Sequence, residues 1–270
     1  MCVLLKILRI AVLAAVLIPP MACSSEGNDT NMIVGGFKVH IEDVPYQAAL
    51  FYHGILLCGG SIIGLQWIIT SYHCVDSLDP ARYKIVVGSD DPHSGKRLKV
   101  KKVIVPPELF QSSNLVYDIG LLLLQEPLTF SKNVQCLQLL SSVDALVPGK
   151  PGYISGYGTS FEGGHDGGTL KAATINLLPA STCVKAYEEL MREYMICAGF
   201  EEGMVDSCQG DSGGPLVVDG KLAGIIFYGR GCARPNNPGI YMSIPWFRDW
   251  IVNSIHVEGS PAERTLCGEN

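Results

Sequence analysis

Gly210-Asp211-Ser212-Gly213-Gly214-Pro215 is the stretch on which the reading of this chain turns. Three glycines around one serine free the backbone to turn sharply and to aim its N–H groups at a bound atom. Such a loop is either the seat of a nucleophile or a Gly-rich hairpin turn. A serine hydroxyl attacks poorly until a positioned base takes its proton, so the first reading requires a histidine and a third group to orient it.

Of the six histidines, His40, His53, His93, His165 and His256 lie among polar or turn residues and read as solvated surface groups. His73 differs, because it follows the apolar run Trp67-Ile68-Ile69-Thr70 and precedes Cys74, at the end of a core strand where a disulfide could pin it. The orienting carboxylate is Asp118, at the mouth of the apolar run Ile119-Gly-Leu-Leu-Leu-Leu124. A carboxylate there needs donors close by, since burying it unpaired is costly. The Gly-x-Ser-x-Gly pattern also matches the nucleophile elbow of α/β-hydrolases, but that fold places its acid and its histidine after the serine. Here only His256 follows Ser212.

Outward from these residues the chain is a succession of short β-type runs broken by Gly and Pro: 47–52, 58–63, 67–70, 83–87, 98–105 and 119–124, then 152–155, 169–178, 215–218, 222–228 and 239–243. Many short strands at turn-spaced intervals predict closed antiparallel barrels or a sandwich. After Ser243, Trp246 and Trp250 fall four apart, as do Phe247, Ile251 and Ile255, which predicts a helix with Ser243 as N-cap. A shorter helix is expected over 180–193. There is no tandem repeat.

The 270 residues allow one large domain or two small ones, and 47% hydrophobic against 17% charged residues excludes a disordered chain. A net charge of −6 argues against nucleic acid as a partner. Lys6 and Arg9 lead into the apolar run 10–18, followed by Pro19-Pro20 and small residues, the pattern of a signal peptide over 1–24 with cleavage at 22–24. That run is far short of the roughly 20 residues that span a bilayer, and no later segment is longer, so no membrane attachment is expected. Ten cysteines in a secreted chain imply disulfides, and none shows zinc-site CxxC spacing. Asn28-Asp-Thr30 is a glycosylation sequon in the polar stretch 25–32.

With those residues assembled, the chain resembles the trypsin/chymotrypsin-like serine proteases over roughly 33–255. The resemblance rests on Ile33-Val-Gly-Gly36, Thr70-Ser-Tyr-His-Cys74, Asp118-Ile119 and Asp206-Ser-Cys-Gln-Gly-Asp-Ser-Gly-Gly-Pro215, with histidine, aspartate and serine in the chymotrypsin order. It implies an all-β fold of two six-stranded antiparallel Greek-key barrels, about 33–140 and 141–243, with the active site between them, a C-terminal helix and a polar tail over 256–270. Ser212 would be the nucleophile, His73 the base and Asp118 its orienting acid. The N–H groups of Gly210 and Ser212 would form the oxyanion hole. Asp206 matches the acid at the floor of the specificity pocket, with Gly229 and Gly239 as its walls, which implies cleavage after Arg or Lys. The segment 25–32 would be a propeptide, and its removal would free Ile33 to pair with Asp211. The matched disulfides are Cys58–Cys74, Cys183–Cys197 and Cys208–Cys232. Cys136 matches a position that ties the propeptide to the body, which favours Cys23 as its partner, with Cys267 second. No cofactor is implied, and no metal, since Ser89 stands where a calcium-binding carboxylate would be. The expected partners are protein or peptide substrates, an activating protease and protease inhibitors, acting on a secreted monomer.

The chain departs from the family pattern in four places. Phe227-Tyr228-Gly229 replaces Ser-Trp-Gly, which removes the hydroxyl expected to support Asp118; Tyr72 replaces a small residue, and Gly120 an alanine. Met32 stands where Arg or Lys normally precedes the new N-terminus. Phe227, Tyr72 and Met32 motivate the alternative of an inert homologue that acts as a binding or regulatory module. The alternating Arg97, Lys99 and Lys101 read as a solvated strand face.

Overall fold

The computed structural model describes residues 33–110, 116–164 and 168–268. The expected signal peptide and propeptide, with Cys23, Asn28 and Met32, lie outside the described residues, as does His165. Thirteen strands and two α-helices are described: β1 (Phe37–Lys38), β2 (Gln47–Tyr52), β3 (Ile55–Ile62), β4 (Trp67–Thr70), β5 (Tyr83–Val87), β6 (Lys96–Ile104), β7 (Gly120–Leu124), β8 (Pro151–Gly156), β9 (Lys171–Leu178), α1 (Ala180–Tyr187), β10 (Met195–Gly199), β11 (Pro215–Val218), β12 (Lys221–Tyr228), β13 (Gly239–Ser243) and α2 (Ile244–Glu258).

Strands β2-β3-β4-β7-β6-β5 close into one antiparallel barrel. Strands β8-β9-β10-β13-β12-β11 close in the same relative order into a second, with β1 added beside β9. In each, the third strand pairs with the sixth rather than the fourth, the Greek-key arrangement that the resemblance implies. Alternation assigns the two faces. On β7, Leu122 and Leu124 join Leu50, Ile68, Ile85 and Leu98 inside the first barrel, while Leu121 and Leu123 face outward into a core shared with Ile225, Ile251 and Ile255. The apolar run after Asp118 is unbroken because both faces of this strand are buried. Ile154, Ile175, Ile196, Leu216, Ile226 and Tyr241 fill the second barrel.

Three expectations differ from the structure. The sequence reading misses β10, whose Met-Ile-Cys-Ala-Gly has one β-branched residue and ends on Ala and Gly, both weak strand formers. The helix expected over 180–193 stops at Tyr187, whose hydroxyl donates to Pro238 O (2.9 Å) and anchors the chain before a turn. In α2, Phe247, Ile251 and Ile255 are buried with Ile244, whereas Trp246 stays 43% exposed on the flank. Ser243 takes the N-cap position without a side-chain capping bond.

The segment read as a polar tail is docked on the first barrel. Trp67 Nε1 donates to Glu263 O (2.6 Å), Cys267 N donates to Ile63 O (3.0 Å), and Leu266 is buried opposite Gly64. Cys267 pairs with Cys136, which corrects the expectation of Cys23 as that partner. The same tail meets the basic strand face: Lys101 Nζ lies 2.7 Å from Glu263, and Lys102 pairs with Glu258 at the end of α2.

Candidate active site

The loop carrying Ser212 is tied to both barrels by backbone bonds. Gly59 N on β3 donates to Ser212 O (2.8 Å), Gly213 N donates to Ile226 O (2.8 Å) and Ile226 N to Gly214 O (3.0 Å). Two glycines are demanded by geometry. Gly210 (φ 93°) passes so close to Gly158 that an added Cβ would lie 3.0 Å from its Cα. At Gly213 (φ 80°) an added Cβ would fall 2.2 Å from Thr70 Oγ1. Neither the Gly210 nor the Ser212 N–H donates to another group among the described residues. Both are available to a bound oxygen.

His73 sits on a 3-10 turn, Tyr72–Cys74, directly after β4. Its backbone N donates to Asp118 Oδ1 (2.8 Å), and its ring Nδ1 lies 2.7 Å from Asp118 Oδ2. Asp118 is buried, and His73 supplies both donors that the sequence reading requires of its surroundings. Burial alone disfavours the imidazolium; the hydrogen bond and the negative charge of Asp118 outweigh it, and the His73 pKa is held above its ordinary value. The disulfide Cys58–Cys74 joins this turn to β3. Cys74 Sγ lies 3.8 Å from Ser212 O and within 4.8 Å of His73, which brings the serine loop beside the histidine. Cys58, His73 and Cys74 converge as a metal site would, but the two sulfurs are bonded to each other and offer no thiolate.

Beside Ser212 opens a cavity of about 190 Å³, lined among others by Ser207, Gln209, Phe227, Tyr228 and Gly229. Asp206 does not line the cavity itself but stands behind Gly229, which does: its Oδ2 lies 3.7 Å from where a Cβ on Gly229 would stand. Asp206 is 4% exposed and forms no ion pair among the described residues. It accepts from Ser207 N (2.8 Å) and Ala233 N (3.1 Å). Burial pushes its pKa up to about 6, against the pull of those N–H groups. Gly239 is buried on β13 facing the ring of Tyr241 rather than the cavity. Cys208–Cys232 ties the two sides of the pocket, and Cys183–Cys197 links α1 to β10.

Asp211 is fully buried, accepting from Gly158 N (2.8 Å) and Cys208 N (3.0 Å), and burial raises its pKa to about 7. Gly156 and Gly158 cradle it: a Cβ on either would overlap its carboxylate. Ile33 is also fully buried, with a positive φ of 44°, and the chain just after it bridges Val34 to Asp206.

Sequence reasoning assigns no role to several residues that hold the site. Ser71 Oγ donates across the barrels to Ile226 O (3.1 Å), and Thr70 Oγ1 to Gly59 O (2.8 Å). Both stand inside the histidine motif, but neither carries a signal that it would reach another strand. The Gly156-Tyr-Gly158 spacing is the one trace of the Asp211 cradle. Two departures also find their surroundings here. At Gly120 an added Cβ would press on Val75 Cγ2 at 3.0 Å, so the valine takes up the room of the usual alanine methyl. Phe227 lines the cavity and supplies no hydroxyl, and the hydrogen bonds to Asp118 all come from His73 among the described residues.

The family model described as Trypsin matches residues 33–251. The chain is 34% identical over 226 residues to a vitellin-degrading protease of Bombyx mori, covering 83% of this chain and 85% of that protein. It is 38% identical over 223 residues to Trypsin 5G1 of Aedes aegypti, covering 81% of this chain and 83% of that one.

Proposed function

The chain belongs to the trypsin family of serine proteases, and from that premise we propose that it is a secreted endopeptidase, made as a zymogen, that hydrolyses peptide bonds after Arg or Lys. One observation carries the specificity: a buried carboxylate, Asp206, under a narrow cavity beside Ser212, with no cation of its own among the described residues. A guanidinium or ammonium entering that cavity supplies the missing charge, and a neutral side chain leaves it unpaired.

In this reading His73 takes the proton of Ser212 as the hydroxyl oxygen attacks the scissile carbonyl. Asp118 holds the imidazole tautomer through Nδ1 and steadies its positive charge, as the 2.7 Å contact supports. The carbonyl oxygen becomes an oxyanion facing the free N–H groups of Gly210 and Ser212. His73 then gives its proton to the leaving amine, and water hydrolyses the acyl-enzyme by the same steps. Removing 25–32 would free the amino group of Ile33 to pair with Asp211, whose burial leaves its charge in want of a partner. No described helix is long and apolar enough to cross a membrane. Cleavage of a peptide library by the processed chain tests the proposal: enrichment of Arg and Lys before the cut is expected, and enrichment of aromatic or small residues would overturn it. The missing hydroxyl at Phe227 favours the second reading, an inert homologue, for which the library would stay uncut.

A further inference from the structure

Away from the catalytic cleft, four aromatic rings and one carboxylate line a cavity of about 160 Å³ formed by Pro106, Glu108, Tyr117, Trp246, Phe247 and Trp250. Its walls are fixed from behind. Phe247 is buried, with Tyr117 set edge-on to it at 5.2 Å, and Tyr194 packs against Tyr117 (4.9 Å), Phe247 (5.8 Å) and Trp246 (6.0 Å). Trp246 and Trp250 stand one turn apart on α2, the first of them 43% exposed.

The charged group that lines the cavity is the carboxylate of Glu108. Burial, then Tyr194, then the carboxylates of Glu108 and Glu193 raise the pKa of the Tyr117 hydroxyl; of the two acids, Glu108 is the one that lines the cavity. Neither forms an ion pair among the described residues, and Arg192 turns its guanidinium to the carbonyls of Glu189 and Met191.

We propose that this cavity binds a small quaternary ammonium ion of the choline class. Aromatic rings attract a cation through their quadrupoles, and Glu108 adds a formal charge at the rim. The chemistry of the wall selects among cations. A primary ammonium brings three N–H donors and a guanidinium five, each needing an acceptor, and the side chains of this wall offer them one carboxylate and the Tyr117 hydroxyl. A quaternary ammonium has no N–H to satisfy and presents methyl groups to the rings. Glu108 also disfavours a head group that carries a phosphate, which points to a free ion rather than a lipid.

Tryptophan fluorescence reports this site directly, because two of the chain's three tryptophans line it and the third, Trp67, is fully buried elsewhere. Choline chloride, titrated into the full chain against sodium chloride at matched ionic strength, is expected to give a saturable change. The neutral isostere 3,3-dimethylbutanol, and choline with the Glu108→Gln variant, should each bind at least about threefold more weakly. Glu108 is exposed and makes no hydrogen bond or ion pair to His73, Asp118 or Ser212 among the described residues, so that variant should fold and keep its hydrolytic activity. A non-saturable response, equal binding of the isostere, or an unchanged Glu108→Gln titration would overturn the proposal. So would a response to phosphatidylcholine vesicles without one to choline.

Discussion

Replacing Asp206 by serine should move activity and stability in opposite directions. Raising a carboxyl from its ordinary 3.8 to about 6 makes the ionised, empty pocket cost the fold roughly 3 kcal/mol, at 1.36 kcal/mol per pH unit. The sign follows from proton counting. Between about pH 4 and pH 6 the folded chain holds a proton on Asp206 that the unfolded chain has released, so this group lowers stability as pH rises and has its full effect above the folded pKa. The serine variant lacks that slope. It also leaves the N–H groups of Ser207 and Ala233 without their acceptor, a penalty that does not depend on pH in this range. The stability of the variant relative to the parent should therefore rise by roughly 3 kcal/mol between pH 4 and pH 7, or about 6–12 °C in Tm for a chain of this size. Asp211 titrates in both proteins and largely cancels in the difference. On the activity side, an incoming guanidinium left unpaired in a buried site loses roughly 3–5 kcal/mol, or about 10²–10⁴ in kcat/KM for Arg substrates, while Ser212 keeps its reactivity toward small neutral acylating agents. Paired calorimetry across pH and steady-state kinetics check both limbs. A stability difference flat with pH, or unchanged Arg and Lys preference, would refute the reasoning.

Three further outcomes are expected. Asp118→Asn should lower kcat by about 10⁴. It should also move the acid limb of kcat/KM to lower pH, because only neutral His73 accepts the proton and the variant removes the group that holds its pKa up; a limb that stays in place would separate His73 from Asp118. Phe227→Ser should raise kcat by about tenfold or more with KM little changed, since a hydroxyl bonded to a carboxylate contributes roughly 1.5–3 kcal/mol; a neutral result would show that Asp118 is held well enough by His73. The proenzyme should stay inactive alone and with trypsin, and gain activity with chymotrypsin through a new N-terminus at Ile33, because residues 24–32 contain no Lys or Arg. Activity with Met32 still attached to Ile33 would remove Asp211 from the activation mechanism.

The local features of the site were the most legible ones. His73 and Asp118 each stand at the end of an apolar run, and a run that ends on a polar residue already says where strand meets cleft. What escaped was long-range. The pairing of Cys136 with Cys267 spans 131 positions, and nothing in either neighbourhood marks the other. The tail that brings Cys267 to the first barrel is polar in composition, and it docks through backbone bonds and one tryptophan N–H rather than through an apolar stripe. Ser71 reaches Ile226 on the other barrel, a partner that only the folded pair of barrels brings near, while Thr70 reaches back across β3 and β4 to Gly59. Strand β10, Met-Ile-Cys-Ala-Gly, has one β-branched residue and two weak strand formers, so its composition does not announce a strand, and Trp246 lies at the border of the α2 stripe, where periodicity does not settle exposure.

The central claim is that Ser212, activated by His73, reacts beside a pocket built for a cation. Processed protein treated with a phosphonate bearing a guanidinium side chain, then digested and mapped by mass spectrometry, tests it most directly. The account predicts one adduct per chain, on Ser212, formed faster than with a phenylalanine-like phosphonate and absent in His73→Ala. Failure to label, or an adduct on any other residue, would contradict it.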